Sequence, residues 1–275
     1  MTIRAALQQG EAALAAAGVP SAGHDAGELL AHVLGEQRLH LLLRCQEKLP
    51  LASYDNYQRL IARRAAREPL QYIVGSQEFM GLTLAVRPGV LIPREDTAVV
   101  VQQALHRLPH GGTVLDVGTG SGAIALAIKH LRPDAQVTAV DISPHAVALA
   151  SDNARACGLD IEILQGDGFA PVHGRRFDVI VSNPPYIPSR ELPHLQQEVQ
   201  DEPALALDGG ADGLDFYRRL FGQAPQHLKP AGHLVVELGD HQAQDVKTLA
   251  GQDFYGVLVY DDLAGLPRAL AAQLR

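Results

Sequence analysis

From Thr113 onward, short β-prone runs alternate with helical runs, and this alternation narrows the architecture more than any other feature of the chain. The strands are expected over Thr113–Val117, Gln136–Val140, Ile161–Leu164, Phe177–Val181 and His233–Leu238, with late strands near 254–260 and 268–274. Helical spacing fills 121–131, 144–156, 214–227 and 241–250, after a first helix at Thr97–Leu108. Such a pattern predicts an α/β fold with a parallel, doubly wound, Rossmann-like sheet. In that architecture ligands bind outside the carboxyl ends of the strands, where the strand order reverses. The residues that end each strand therefore carry the functional information.

The first strand runs into Leu115-Asp116-Val117-Gly118-Thr119-Gly120-Ser121-Gly122 and opens a helix. Glycines there permit a tight turn and close approach of a ligand to the helix N-terminus. The spacing is Gly-x-Gly-x-Gly rather than the Gly-x-Gly-x-x-Gly of dinucleotide binders. Asp116, just before the loop, would repel a pyrophosphate but attract an ammonium or sulfonium group. Asp141 ends the second strand, where an acid accepts hydrogen bonds from ribose hydroxyls. Asp167 follows the third strand in Gly166-Asp167-Gly168. Singly, these acids also suit a turn, the N-cap of the Pro144 helix and an Asx-turn. Together, at three successive strand ends, they describe a pocket for a nucleoside with a positive tail, which S-adenosylmethionine fits better than NAD does.

The fourth strand stops at Asn183-Pro184-Pro185-Tyr186. Proline fixes φ, lacks an N–H and holds its predecessor extended, so this corner presents carbonyl oxygens with few competing donors beside an aromatic face. A planar amide or base edge would fit it. If the first and fourth strands flank the switch point, the corner faces the glycine loop. Between Asn183 and Gly213 there is little periodicity but several prolines and Gly209-Gly210, which reads as a functional lid or binding segment.

Before the α/β region, residues 1–70 read as a small helical bundle. Ile3, Leu7 and Leu14 share one helical face, Leu29 to Leu34 mark a second helix stopped by Gly35, Leu39 to Leu43 a short third, and Tyr54, Tyr57, Leu60 and Ile61 a fourth. Arg59, Arg63, Arg64 and Arg67 near the end of that helix read as a solvated face favoured by the helix dipole. Residues 71–93 read as a β-hairpin linker, with β-prone runs at Gln71–Val74, Leu82–Val86 and Val90–Ile92. Residues 94–275 then form the α/β domain.

Charge separates the parts. Residues 1–70 hold eight Lys/Arg and seven Asp/Glu, whereas 71–275 hold fifteen and twenty-four, so the second part carries −9 of a total of −8 and the first part +1. That acidity argues against direct nucleic-acid binding. Polar residues Gln8 to Glu11 interrupt any secretory signal, and no apolar run approaches a membrane span, so a cytoplasmic protein is expected. Cys45 and Cys157 show no metal-ligand spacing, and the twelve histidines no catalytic arrangement.

Asn-Pro-Pro-Tyr after a strand, downstream of the glycine loop, resembles the amino-methyltransferases that modify planar exocyclic or amide nitrogens. Glu68-Pro69-Leu70-Gln71-Tyr72-Ile73-Val74-Gly75, Glu78-Phe79, Val90-Leu91-Ile92-Pro93-Arg94, Asn183-Pro184-Pro185-Tyr186-Ile187-Pro188 and the stretch from Glu202-Pro203 through Leu207-Asp208-Gly209-Gly210-Ala211-Asp212-Gly213 narrow this further. They are similar to the HemK/PrmC family, the peptide chain release factor glutamine N5-methyltransferases.

The resemblance implies S-adenosyl-L-methionine as cofactor, S-adenosyl-L-homocysteine as product, and the glutamine of the Gly-Gly-Gln motif in release factors as substrate, with the N-terminal bundle helping to hold that protein. Carried onto this chain, it implies cofactor contacts from Asp116, Gly118, Thr119, Gly120, Ser121, Gly122, Asp141, Ile142, Asp167, Gly168, Phe169 and Asn183. Asn183, Pro184, Pro185 and Tyr186 would hold the substrate: the Asn183 side-chain oxygen and Pro184 carbonyl accept the amide hydrogens, and Tyr186 packs on the planar group. No metal or covalent intermediate is called for.

Two departures from the family pattern stand out. After Pro93-Arg94 the family usually continues Pro-Glu/Asp-Thr-Glu, whereas this chain has Glu95-Asp96-Thr97-Ala98. Many members carry tryptophan after the third-strand acid, where this chain has Gly168, so adenine packing falls to Phe169 or to backbone. The rival readings are a glutamine methyltransferase of a ribosomal protein, an adenine-N6 nucleic-acid methyltransferase, an NAD-dependent dehydrogenase and a non-catalytic binding module.

Overall fold

The computed structural model describes residues 1–251 and 253–275. The chain forms two compact units, Met1–Ser76 with Gln196–Asp201, and Gln77–Leu195 with Glu202–Arg275.

The first unit contains helices α1 (Ile3–Ala16), α2 (Ala22–Leu34), α3 (Arg38–Leu43), α4 (Leu51–Ala65) and α5 (Leu70–Val74). Thr2 caps α1 by accepting from the Ala5 N–H, and Gly35 ends α2 in the left-handed conformation. Ile3, Leu14, Leu29, Leu30 and Tyr57 fill its core. The reading of the α4 arginines as one solvated face is corrected. Tyr57, Leu60, Ile61 and Arg64 recur at helical spacing, so Arg64 follows the apolar stripe inward and is buried. Its guanidinium donates to Asp25 at 2.7 Å and to Glu198 at 2.8 Å, and Arg67 donates to Glu198 at 2.6 Å. Arg67 foremost holds the Glu198 carboxyl down at about 2. Arg59 and Arg63 remain exposed.

Residues 70–74 are helical, not the β-run expected over Gln71–Val74. Pro69 precedes the turn and Gly75, at φ +82°, closes it in the left-handed region, so the two flanks override the β-preference of Ile73 and Val74. The hairpin itself is β1 (Ser76–Phe79) and β2 (Leu82–Ala85), joined by Met80 and Gly81, both at positive φ, the two-residue turn that matches strand twist. Residues 90–92 form no strand.

The second unit holds a seven-stranded sheet of order β5-β4-β3-β6-β7-β9-β8. Its strands are β3 (Thr113–Val117), β4 (Gln136–Asp141), β5 (Glu162–Gln165), β6 (Phe177–Ser182), β7 (Leu228–Glu237), β8 (Phe254–Asp261) and β9 (Pro267–Leu274). Strands β3 to β7 pair in parallel, as the alternation predicts. One strand departs from the all-parallel expectation: β9 runs antiparallel to both β7 and β8. The turn 262–266 is too short for the crossover a parallel link needs, and Asp262 pins it by accepting from the Ala264 and Leu266 N–H groups.

Helices α6 (Ala98–Arg107), α7 (Ala123–Leu131) and α8 (Pro144–Cys157) belong to this unit, with later helices at Asp215–His227 and Ala243–Leu249. Strand pleating divides the core into two layers. Along β6, Val179 and Val181 pack with α6 and α7 residues such as Val101 and Ile124, whereas Ile180 packs with Tyr217, Leu220 and Phe221 of the Asp215–His227 helix. The chain leaves β3 toward β4 and β5, then returns to lay β6 on the other side of β3. The switch point thus lies between β3 and β6. The long 183–213 connection holds single turns of helix at Gln197–Gln200, within the first unit, and Ala204–Leu207, within the second. Among the described residues no helix is long and apolar enough to cross a membrane.

Candidate active site

A cavity of about 620 Å³ opens at the switch point, within the range of small-molecule sites. Of the residues singled out in the sequence, Gly118, Thr119, Gly120, Ser121, Asp141, Ile142, Asp167, Gly168, Asn183 and Pro185 line it. Asp116, Gly122, Phe169, Pro184 and Tyr186 do not.

The glycine loop is tied to the neighbouring strand by bonds from the Gly118 and Thr119 N–H groups to the Val140 carbonyl, at 2.8 and 3.0 Å. A Cβ added at Gly118 would project into open space, so backbone there is available to a ligand. Gly122 does a different job. A Cβ there would press on Ala150 of α8 and on Leu126, each 3.2 Å away, so this glycine lets α7 begin against α8.

Asp116 lies sealed beneath the loop and does not meet a cationic tail across the cavity wall. It is fully buried, one carboxylate oxygen accepts from the Thr119 hydroxyl at 2.7 Å, and burial pushes its pKa up to about 7. The other oxygen, Oδ1, has no hydrogen-bond partner among the described residues. Asp141 is at the wall. Its two oxygens accept from the Gly120 N–H at 2.8 Å and the Ser143 N–H at 2.9 Å, which fixes the carboxylate with lone pairs to spare. Ser143 caps α8, with Pro144 in its first turn.

Asp167 pairs with Arg219 at 2.5 Å. Of the two expectations for adenine packing, Phe169 or backbone, the first is corrected. The Phe169 ring is buried and stacked on His227, with centroids 4.7 Å apart, because the helix-bearing layer of the core offers it a closed apolar slot.

At the end of β6, the Ser182 hydroxyl donates to the Val117 carbonyl at 2.6 Å and locks the two strand ends together. Asn183 follows, and its Nδ2 donates to Thr97 Oγ1 at 3.3 Å. Thr97 in turn donates to Glu237 at 2.6 Å, and the Tyr186 hydroxyl reaches the other Glu237 oxygen at 3.4 Å. Glu237 is fully buried, and burial lifts its pKa to about 7. Burial, chiefly, also raises the Tyr186 phenol. Gly239 admits the Tyr186 ring edge where a Cβ would stand 2.8 Å away, and Gln242 donates to the Tyr186 carbonyl at 2.9 Å. Tyr186 and Pro184 thus stand behind the wall, while Asn183 and Pro185 face it.

Sequence reading missed Thr97, Glu237, Glu202, Phe216 and Arg219. Glu202 is buried and accepts from the Ile92 N–H at 2.9 Å and from Arg94, which holds one rim of the cavity. Glu237 carried a signal: a lone acid inside the apolar run Leu234–Leu238. Phe216 and Arg219 sit on an amphipathic helix and carry none.

A glycine loop, a strand-end acid and an Asn-Pro-Pro-Tyr corner around one cavity on this sheet define a methyltransferase. Residues 95–254 match the family model described as methyltransferase small domain, and residues 5–75 match the PrmC N-terminal domain. A methyltransferase structure from Pyrococcus furiosus superposes with a TM-score of 0.56 at 20% identity, covering 80% of this chain and 98% of that one, a likeness of fold. The chain is 46% identical to a release factor glutamine methyltransferase of Geobacter sulfurreducens, over 99% of this chain and 97% of the relative. It is 47% identical to another of Moorella thermoacetica, over 100% and 99%. The chain belongs to the release factor glutamine methyltransferase family.

Proposed function

We propose that the chain methylates the side-chain amide nitrogen (N5) of the glutamine in the Gly-Gly-Gln motif of peptide chain release factors, using S-adenosyl-L-methionine and leaving S-adenosyl-L-homocysteine. The observation that carries this reading is the direction of the hydrogen bonds at Asn183. An ionised Glu237 can only accept, so the single Thr97 hydroxyl hydrogen goes to it. Thr97 oxygen is then left as an acceptor, which claims the Nδ2 end of Asn183. The carbonyl oxygen of Asn183 is thereby reserved for a donor in the cavity. A planar primary amide supplies such a donor.

The cavity fits the cofactor. Gly118 leaves backbone bare, and Asp141 keeps free lone pairs for ribose hydroxyls. When bound, S-adenosylmethionine supplies an electrophilic methyl group. The chain's own task is placement. An amide nitrogen is a weak nucleophile because its lone pair is delocalised, and as positive charge grows on it its N–H bonds to Asn183 more tightly than in the ground state. Tyr186, fixed by Glu237 and Gln242, stiffens the corner from behind.

In this account residues 1–70 help hold the substrate protein, 71–93 link them to the catalytic domain 94–275, and the enzyme works in the cytoplasm without binding nucleic acid. The test offers labelled S-adenosylmethionine with a release factor, a ribosomal-protein mixture and adenine-containing DNA in parallel. Label confined to the release factor is expected. Label in DNA with a steep salt dependence would replace this reading with the adenine-N6 one.

A further inference from the structure

We infer that Arg219 forms the surface on which adenine stacks, in the place left without a ring at Gly168. This rests on reading the cavity as the S-adenosylmethionine site. Four residues of its wall meet at one point: Asp167, Gly168, Phe216 and Arg219. A Cβ built on Gly168 would stand 3.4 Å from Arg219 Nη2, in van der Waals contact, so the guanidinium packs beside the position where a ring is missing. Two contacts hold it there. Asp167 accepts from Nη2 at 2.5 Å, and the guanidinium carbon lies 5.6 Å from the centre of the Phe216 ring. Phe216 and Arg219, three residues apart on the Asp215–His227 helix, share a face of it.

The chemistry suits a nucleobase. A guanidinium is planar and weakly hydrated, and it stacks flat on aromatic faces, where an ammonium of the same charge has no plane to offer. Asp167 neutralises its charge, so the surface offers a flat face without drawing anions. The other aromatic candidate, Phe169, is taken up by His227.

The test is calorimetric titration of the full chain with S-adenosylhomocysteine. Arg219→Ala and Arg219→Lys are both expected to weaken binding by about ten-fold, the scale of one base-stacking contact, because lysine keeps the charge and loses the plane. Affinity within about two-fold of wild type in both variants would overturn the inference. An absence of binding by the wild-type chain would instead remove the reading of the cavity. A second readout uses the fact that the chain has no tryptophan. Phe216→Trp introduces a single reporter beside Arg219 while leaving Gly168, at φ +55°, as glycine. Quenching of its emission on titration is expected. Full binding with unchanged emission contradicts the stacking geometry.

Discussion

Thr97 and Glu237, 140 residues apart in sequence, share a 2.6 Å hydrogen bond in which the hydroxyl donates and the buried carboxylate accepts. That bond sets which end of the Asn183 amide faces the cavity. Thr97→Val removes it without changing shape much, and Glu237→Gln lets the pair run in either direction. Each is expected to lower kcat by about ten- to a hundredfold while cofactor affinity by calorimetry stays within about two-fold, since misplacement of a reacting group is costly. A loss of cofactor affinity that matches the loss of rate would assign the pair to the fold rather than to Asn183.

The same pair predicts a pH dependence. Burial, with a contribution from Asp96, raises Glu237 to about 7 against the opposing pull of Thr97, Arg268 and Tyr186. Above that pH the carboxylate only accepts. Below it, the carboxyl O–H competes to donate to Thr97, which frees Thr97 to donate to Asn183 and turn the amide. The rate should therefore fall as pH drops through about 7, and Thr97→Val should flatten the profile.

Stability runs the other way. The unfolded carboxyl titrates near 4.5, so between there and about 7 the folded chain holds a proton that the unfolded chain has lost. Folding stability accordingly decreases as pH rises through this window, and Glu237→Gln should lessen that decrease in urea melts. Part of the slope persists, because Asp116 is raised to about 7 by the same cause.

Asp141 holds Gly120 and Ser143 through both oxygens. Asp141→Ala should weaken S-adenosylhomocysteine binding by about ten- to a hundredfold, the scale of one or two charge-assisted bonds. Unchanged affinity in calorimetry would take Asp141 out of the pocket.

In the first unit, Asp25→Ala leaves Arg64 buried with one of its two carboxylate partners gone. A destabilisation of about 3 kcal/mol is expected for that unit, read by hydrogen exchange of α1, α2 and α4 so that the second unit does not blur the transition. Protection equal to wild type would show that Arg64 finds water instead.

Much of this was legible in the chain itself, for identifiable reasons. Alternation fixed the parallel strands β3 to β7, because helix and strand periods differ, and strand ends located Asp141, Asp167 and Asn183 beside the glycine loop. What escaped depends on contacts remote in sequence. Arg64 looks solvated until Asp25 and Glu198 reach it, Phe169 looks available until His227 covers it, and Thr97 looks like a helix start until Glu237 claims its hydrogen. Asp116, placed by its sequence position at a cationic tail, sits under the loop because Thr119 folds over it. The reversal of β9 follows from the shortness of the 262–266 turn, a signal that was present and unread.

The most direct test of the account is mass-spectrometric location of the methyl group after incubating wild type and Asn183→Ala with S-adenosylmethionine and either a release factor or its Gln→Ala variant in the Gly-Gly-Gln motif. Wild type should methylate that glutamine alone. Asn183→Ala should lose about a hundred- to a thousandfold in rate, as for removal of one preorganised transition-state contact. Equal methylation of both release factor forms, or near-normal turnover by Asn183→Ala, would contradict the central claim.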